Sequence, residues 1–290
     1  MMIETPMKEK KLGSKKVHDN IIQIVLIAGG VFLLFLSFVP VIVMILLSFK
    51  STVQVYDNFW AMPNPVMWNN YSTAAFQLFQ NMINSLVLVA VSTLSVVILA
   101  SVAGYVFARL RFPGREFLYL LILALMMVPG VLTLTPQYTL MQDLGITNTW
   151  WAVYLPWVSG GQVFGIMLCR TFIASQPAAL FESARIDGCT ELQAYSKIAL
   201  PLAKPILATL SIMSMIGQYN DFIWPLMVIE SNEKQVITVA LRVYQASVNG
   251  DLNIGVEMAG FVIATIPLLI LFLAGSNLYI EGITSGAVKG

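Results

Sequence analysis

The sequence predicts an all-α polytopic membrane protein with six transmembrane helices, on three observations. Hydrophobic residues make up 58% of the 290-residue chain and charged residues only 11%, against roughly 45–50% and about 25% in a soluble domain. Apolar runs near 21–49, 83–108, 117–140, 151–173, 206–229 and 256–280 each reach the roughly 20 residues that a helix needs to cross a bilayer. Lys and Arg gather in alternate connections between those runs. With a mean hydropathy of +0.78, the chain has too little polar surface to cover a water-soluble globule.

Residues 1–20 form a basic leader that holds Lys8, Lys10, Lys11, Lys15, Lys16 and the one histidine, His18. The run 21–49 is far longer than a signal-peptide core of about 7–15 residues and lacks a small-residue cleavage site, so it reads as a retained helix. A loop over 50–82 follows, with "YDNFWAMPNPVMWNNY" inside it. Trp60 and Trp68 there, and Trp150 and Trp151 later, suit interfacial anchors. A core of five helices then spans 83–280, and a tail closes the chain over 281–290. Prolines punctuate the core at "MMVPG", at "TPQY" and at Pro156, Pro225 and Pro267. Gly161 and Gly165 form a small-xxx-small pair that permits close helix approach.

Orientation follows from charge. The leader, Arg109, Arg111, Arg115, Arg170, Arg185, Lys197, Lys204 and Lys289 share one side, leaving only Lys50, Lys234 and Arg242 opposite. Positive residues concentrate in cytoplasmic connections, which puts both termini and the loop 174–205 in the cytoplasm. The last outer loop, 230–255, contains Val236–Leu241 and a Gly250-Asp251 turn signal, so it reads as an ordered excursion.

Several function classes drop out. The chain has no G-x-x-x-x-G-K-[ST] phosphate loop and no nucleophile–base pair. A single histidine argues against a His-based metal site or triad. Neither enzyme activity nor a bound cofactor or metal is expected, and Cys169 and Cys189 read as free thiols. The surroundings are the lipid bilayer, with no nucleic-acid partner. Asp221, beside Asn220 in "QYNDFIWP", is the clear ionisable exception inside a span. An intramembrane carboxylate is a candidate pathway residue; a hydrated or locally paired Asp221 is the competing reading.

The loop 174–205 is the densest polar stretch. Pro177 suits a helix start, Ala178–Ile186 favours helix, and Gly188 supplies a left-handed stop. Thr190 with Gln193 makes a capping box for a second helix over Glu191–Ala199, which Pro201 ends. Phe181 and Ala184, then Leu192, Tyr195, Ile198 and Ala199, recur at helical spacing. Such a hairpin cannot bury them by itself. They pack on the chain's own helix ends or in a partner's groove.

Glu182-Ser183-Ala184, Gly188 and Ile198-Ala199-Leu200-Pro201 resemble the "EAA–G–I-LP" loop of binding-protein-dependent ABC importer permeases. Both internal spacings agree, and Ser183 replaces the usual second alanine. "LGITNTWWAVYLP" and "SGAVKG" are similar to the maltose-type G-subunit of the carbohydrate-uptake branch. Gln218-Tyr219-Asn220 departs from that branch's usual Trp-Asn. The resemblance implies a type I importer permease fold in the bacterial cytoplasmic membrane. Its loop would be a coupling helix that docks in a groove of a cytoplasmic ATPase, one of two in the assembly, through Glu182, Ser183, Ala184, Asp187, Gly188, Ile198, Leu200 and Pro201. ATP would be bound on the ATPase subunits and not on this chain. It also implies an ATPase contact by Gly286, Ala287, Val288, Lys289 and Gly290, an F-type partner permease and an extracytoplasmic solute-binding protein. A di- or oligosaccharide is the expected solute. Alternatives are a glycerol-phosphate-type solute, an ion-coupled secondary carrier and an anchoring subunit that carries nothing.

Overall fold

The computed structural model describes residues 7–248 and 253–287. All regular structure among them is helical. Helix α1 spans Met7–Ser48 and the short α2 Thr52–Asp57. Next come α3 (Asn69–Arg109), α4 (Arg115–Leu125), α5 (Gly130–Asp143) and α6 (Trp150–Ala174). The polar hairpin is α7 (Ala178–Ile186) and α8 (Glu191–Leu202). Then follow α9 (Lys204–Asn220), α10 (Ile223–Val228), α11 (Ile237–Val248) and α12 (Ile254–Ala287).

Among the described residues, four helices are long and apolar enough to cross a membrane, or up to six if each bent pair counts as one span. The bent pairs are α4 with α5, at 97°, and α8 with α9, at 74°. Their breaks have local causes. Val128 precedes Pro129 and is pushed out of helical geometry, so α4 stops and α5 restarts after Pro129. At the second break Ala203 sits between Pro201 and Pro205, and neither proline can donate the backbone bond that would carry one helix through. Just before it, Tyr195–Ala199 forms a π-turn in which the Leu200 N–H donates to the Tyr195 carbonyl. The apolar run 206–229 is likewise not one helix: α9 ends at Asn220, and α10 begins at Ile223.

The chain divides into two compact units, residues 1–71 with 253–262 and residues 72–252 with 263–290. In the first, the end of α1 meets the start of α3. Asn70 Nδ2 donates to the Ser48 and Lys50 carbonyls, both at 2.9 Å, and the Ser48 and Tyr71 hydroxyls lie 2.7 Å apart. Lys50 is buried, its ammonium donating to the carbonyls of Asn58 and Phe59.

The second unit is built on a seam between α3 and α6. A Cβ on Gly161 would lie 2.7 Å from Val96 Cγ2, one on Gly165 2.7 Å from Ala100 Cβ, and one on Gly104 2.5 Å from Cys169 Cβ. The pairs 96–161, 100–165 and 104–169 share one offset, so the two helices run parallel. Helix α9 runs against both. Leu210 packs at Gly165, whereas Trp157 reaches Asp221, and Ser92 reaches Gln218. Helix α12 in turn runs against α9, with Ile212 at Gly275 and the Tyr219 hydroxyl on the Ala264 carbonyl at 2.9 Å.

The outer loop is ordered as far as it is described, since α11 occupies Ile237–Val248; its Gly250-Asp251 turn lies outside the described residues. Buried Asn81 and Asn84 of α3 donate to the carbonyls of Asn232, Glu233 and Gln235 at 2.7–3.1 Å, and the Ile237 N–H donates to Ser85 Oγ at 2.7 Å. Exposed Trp60, Trp68 and Trp151 suit a bilayer interface.

Overpacking a core costs roughly 1–3 kcal/mol. Gly165→Leu should therefore lower the thermal unfolding midpoint in detergent, whereas Gly29→Ala on exposed α1, with nothing within 4 Å of the added carbon, should leave it unchanged.

Candidate functional site

The hairpin is closed by backbone chemistry that its sequence dictates. Gly188 adopts φ +80°, a left-handed geometry that costs a side-chain-bearing residue about 1–2 kcal/mol. Around it the Gly188 N–H donates to the Arg185 carbonyl and the Cys189 N–H to the Ala184 carbonyl, the paired bonds of a glycine-terminated helix. Thr190 then opens α8. Its hydroxyl accepts from the Gln193 N–H, and Gln193 Oε1 accepts from the Thr190 N–H at 2.9 Å.

One face of the hairpin belongs to the membrane core. Phe181, Ala194 and Ala199 are buried in a single apolar cluster with Val96, Ala100, Tyr105, Ile166, Cys169 and Leu210, and Tyr195 and Ile198 pack against it. Polar bonds fix the same face to the end of α3. Arg109 donates to the carbonyls of Ile173 (2.6 Å) and Gln176 (2.7 Å) while its guanidinium lies 4.0 Å over the Phe181 ring. The Tyr105 hydroxyl donates to Glu191 Oε2 at 2.7 Å, Glu191 pairs with Arg185, and the Ser101 and Tyr195 hydroxyls lie 2.8 Å apart.

The other face is open. Glu182, Ser183, Asp187 and Pro201 are exposed, and Leu200 is half-buried. Ile186 is 86% and Leu192 74% exposed, so the predicted packing stripe divides: Leu192 faces out while Tyr195, Ile198 and Ala199 face in. Ser183 Oγ donates back to the Ala179 carbonyl at 2.8 Å, a satisfied position for the hydroxyl that replaces alanine's methyl. Beside the hairpin lies a cleft of about 680 Å³ lined by Glu182, Glu191, Arg109, Arg111, Arg115 and Arg185. Of the tail residues, Gly286 and Ala287 belong to α12, and Val288–Gly290 lie outside the described residues.

Asn220 and Asp221 stand at the other end of α9. Asp221 is half-buried, its Oδ2 accepting from Trp157 Nε1 at 2.7 Å and its carbonyl from the Thr238 hydroxyl at 2.8 Å. They line a cavity of about 430 Å³ with Trp157, Ser214, Gln218 and glycines 160, 161 and 217. Sequence reasoning missed Tyr105, Arg109 and the pair Asn81–Asn84. Asn81, Asn84 and Ser85 carried a signal, three polar residues on one stripe where α3 enters its apolar run.

Removing one charge-assisted hydrogen bond costs about 1.5 kcal/mol or more, a factor of about ten in an opening equilibrium. Arg109→Ala should therefore speed hydrogen exchange at the amides of 178–194 about tenfold or more, leaving exchange in α11 unchanged.

The profile of the family described as "Binding-protein-dependent transport system inner membrane component" matches residues 97–280. The arabinooligosaccharides transport system permease protein AraQ of Halalkalibacterium halodurans is 30% identical over 95% of this chain and 100% of its own length. The trehalose transport system permease protein SugB of Mycobacterium tuberculosis is 31% identical over 88% of this chain and 93% of its own. In shape the chain is similar to a chain of a bacterial ABC transporter involved in the import of the acidic polysaccharide alginate, at a TM-score of 0.78 over 96% and 99% of the two chains and 20% identity. These matches span the core, the hairpin and the polar cavity alike, and the chain belongs to the family of inner-membrane components of binding-protein-dependent transport systems.

Proposed function

We propose that this chain is the permease subunit of an ATP-driven, solute-binding-protein-dependent importer for a di- or oligosaccharide, and that it forms half of the translocation pathway. The observation that carries the proposal is the two-sided hairpin. One face is fused to the membrane core, and the other presents Glu182, Ser183, Asp187 and exposed Ile186 and Leu192. A force applied to that outer face reaches the membrane helices without passing through a flexible linker.

The remaining assignments follow. The hairpin is the coupling helix, with Gly188 setting its turn, Ala184, Ile198, Leu200 and Pro201 its packing and shape, and Glu182 and Asp187 its polar contacts. It docks on one of two separate cytoplasmic ATPase subunits, which bind the ATP, and the tail Gly286–Gly290 adds a second contact. The parallel pair α3 and α6 supports six crossings, because the chain between them must then cross back once, which α4 and α5 together supply. Both termini are cytoplasmic in the bacterial inner membrane. An F-type permease completes the pathway, and a solute-binding protein delivers sugar to the loop 230–255. Relatives named for arabinooligosaccharide and trehalose transport favour sugar over a glycerol phosphate, and no Lys or Arg lines the membrane cavity.

Gentle purification of the tagged chain should recover a phosphate-loop ATPase and a second polytopic permease. A Gly188→Pro variant, whose ring demands a negative φ, should still insert but recover no ATPase and import no sugar. Normal uptake by that variant would overturn the assignment.

A further inference from the structure

Four arginines line the cleft beside the hairpin, and the ATPase contact uses none of them. The cleft lies at the membrane surface, because the turn 110–114 joins the end of one candidate span, α3, to the start of the next, α4. Its walls are that turn and one stripe of α7, Ala178, Phe181, Glu182 and Arg185, spaced three and four apart. Ser183 and exposed Ile186 stand about 100° round the helix from it, so the face offered to an ATPase and the cleft are different surfaces.

The charges do not balance. Arg109, Arg111, Arg115 and Arg185 face two carboxylates, Glu182 and Glu191, an excess of two positive charges. Arg115 is satisfied by Glu116 and the Leu110 carbonyl, and Glu191 is held by Tyr105 and Arg185. Arg111 and Glu182 are exposed, and neither has a partner among the described residues. Arg109 commits Nη2 to the Ile173 and Gln176 carbonyls, while its buried Nε has no acceptor. A buried donor without an acceptor is costly and calls for an explanation.

We infer that this cleft binds a phosphate group, supplied by the headgroup of an anionic phospholipid or by a soluble phosphate. Forked guanidiniums match phosphate oxygens, and a net positive pocket at the end of a span suits an anionic headgroup. Exposed Phe117, Leu118 and Leu121 lead from the cleft along α4, an apolar track for the acyl chain of a lipid so held. A choline headgroup brings its own cation and is disfavoured. Bound there, the phosphate bridges the α3–α4 turn to α7 and tightens the joint by which the hairpin rides on the core. The site goes beyond the importer role and does not depend on it, since a cleft at the end of a span meets headgroups on either side of the membrane.

The test uses the full chain with its co-purifying subunits, washed free of lipid in detergent. It is titrated with dioctanoyl-phosphatidylglycerol, with dioctanoyl-phosphatidylcholine and with inorganic phosphate while hydrogen exchange is followed. Phosphatidylglycerol should slow exchange saturably at the amides of 109–116 and 178–187, leaving α11 unchanged, and phosphatidylcholine should not. The same protection from inorganic phosphate assigns the soluble source, and protection from the lipid alone assigns the headgroup. Arg111→Gln, at an exposed side chain with no partner to lose, should raise the half-saturating concentration about tenfold. Glu182→Gln, which removes the opposing carboxylate, should lower it. Lys197→Gln, on the hairpin but outside the cleft, controls for diffuse surface charge and should leave it unchanged. No protection by either anion, equal protection by phosphatidylcholine, wild-type values in both cleft variants, or an equal loss with Lys197→Gln overturns the site. The importer role fails by a separate result, a wild-type chain that recovers no ATPase.

Discussion

Everything in the larger unit hangs on α3, a continuous helix pinned at both ends. Among the described residues it is the one candidate span without a proline: α1 carries Pro40, α5 Pro136, α6 Pro156, α9 Pro205 and α12 Pro267. Near its start Asn81, Asn84 and Ser85 hold the outer loop, and near its end Ser101, Tyr105 and Arg109 hold the polar hairpin. At 1.5 Å per residue the stretch from Asn81 to Arg109 covers about 42 Å, more than the hydrocarbon thickness of a bilayer of about 30 Å. An unbroken helix resists bending and compression, whereas the pairs α4–α5 and α8–α9 around it are bent at prolines by 97° and 74°. So α3 is a continuous rod, α6 beside it is unbroken too, and the bends are confined to α4–α5 and α8–α9.

The seam with α6 makes that rod thicker. Gly161, Gly165 and Gly104 let the two backbones approach until side chains on one touch the backbone of the other, a packing mode that membranes favour because no hydrophobic effect separates helix from lipid. Arg109 then closes the hairpin end by bonding the carbonyls of Ile173 in α6 and of Gln176 just beyond it and stacking on Phe181. Its charge sits where the carbonyl dipoles of α6 point. Hairpin, α3 and α6 are in this way one apolar cluster with one electrostatic latch.

Much of this was legible in the sequence. The hairpin's turn chemistry is local, so Pro177, Gly188 and the Thr190–Gln193 box could be placed from spacing, and the Gly161–Gly165 pair named the tight seam. Helix continuity was not. Val128-Pro129 and Pro201-Lys204-Pro205 break their spans by 97° and 74°, yet Pro136, Pro156 and Pro267 sit inside helices; at Pro156 the freed Ala152 carbonyl accepts from Trp224 Nε1 at 2.8 Å. The sequence pattern of a kinking proline and a breaking one is the same. The latch was invisible for a related reason. Arg109 reads as a positive-inside marker, and only the path of α6 brings the Ile173 and Gln176 carbonyls to it. Leu192 parts from the stripe because the buried face runs through Ala194, Tyr195, Ile198 and Ala199, and two residues at 3.6 per turn set Leu192 about 200° from Ala194.

The rod account is tested most directly by pulsed electron–electron resonance on the assembled transporter. Spin labels go on exposed Glu233 in the outer loop and exposed Leu192 on the hairpin, in a Cys189→Ser background, with a third label position on the co-purifying ATPase. Across nucleotide-free and nucleotide-trapped states the Glu233–Leu192 distance should hold constant while each changes its distance to the ATPase or to the partner permease. A Glu233–Leu192 distance that shifts as far as those intersubunit distances would show that α3 does not carry the two ends as one body, and the account would fail.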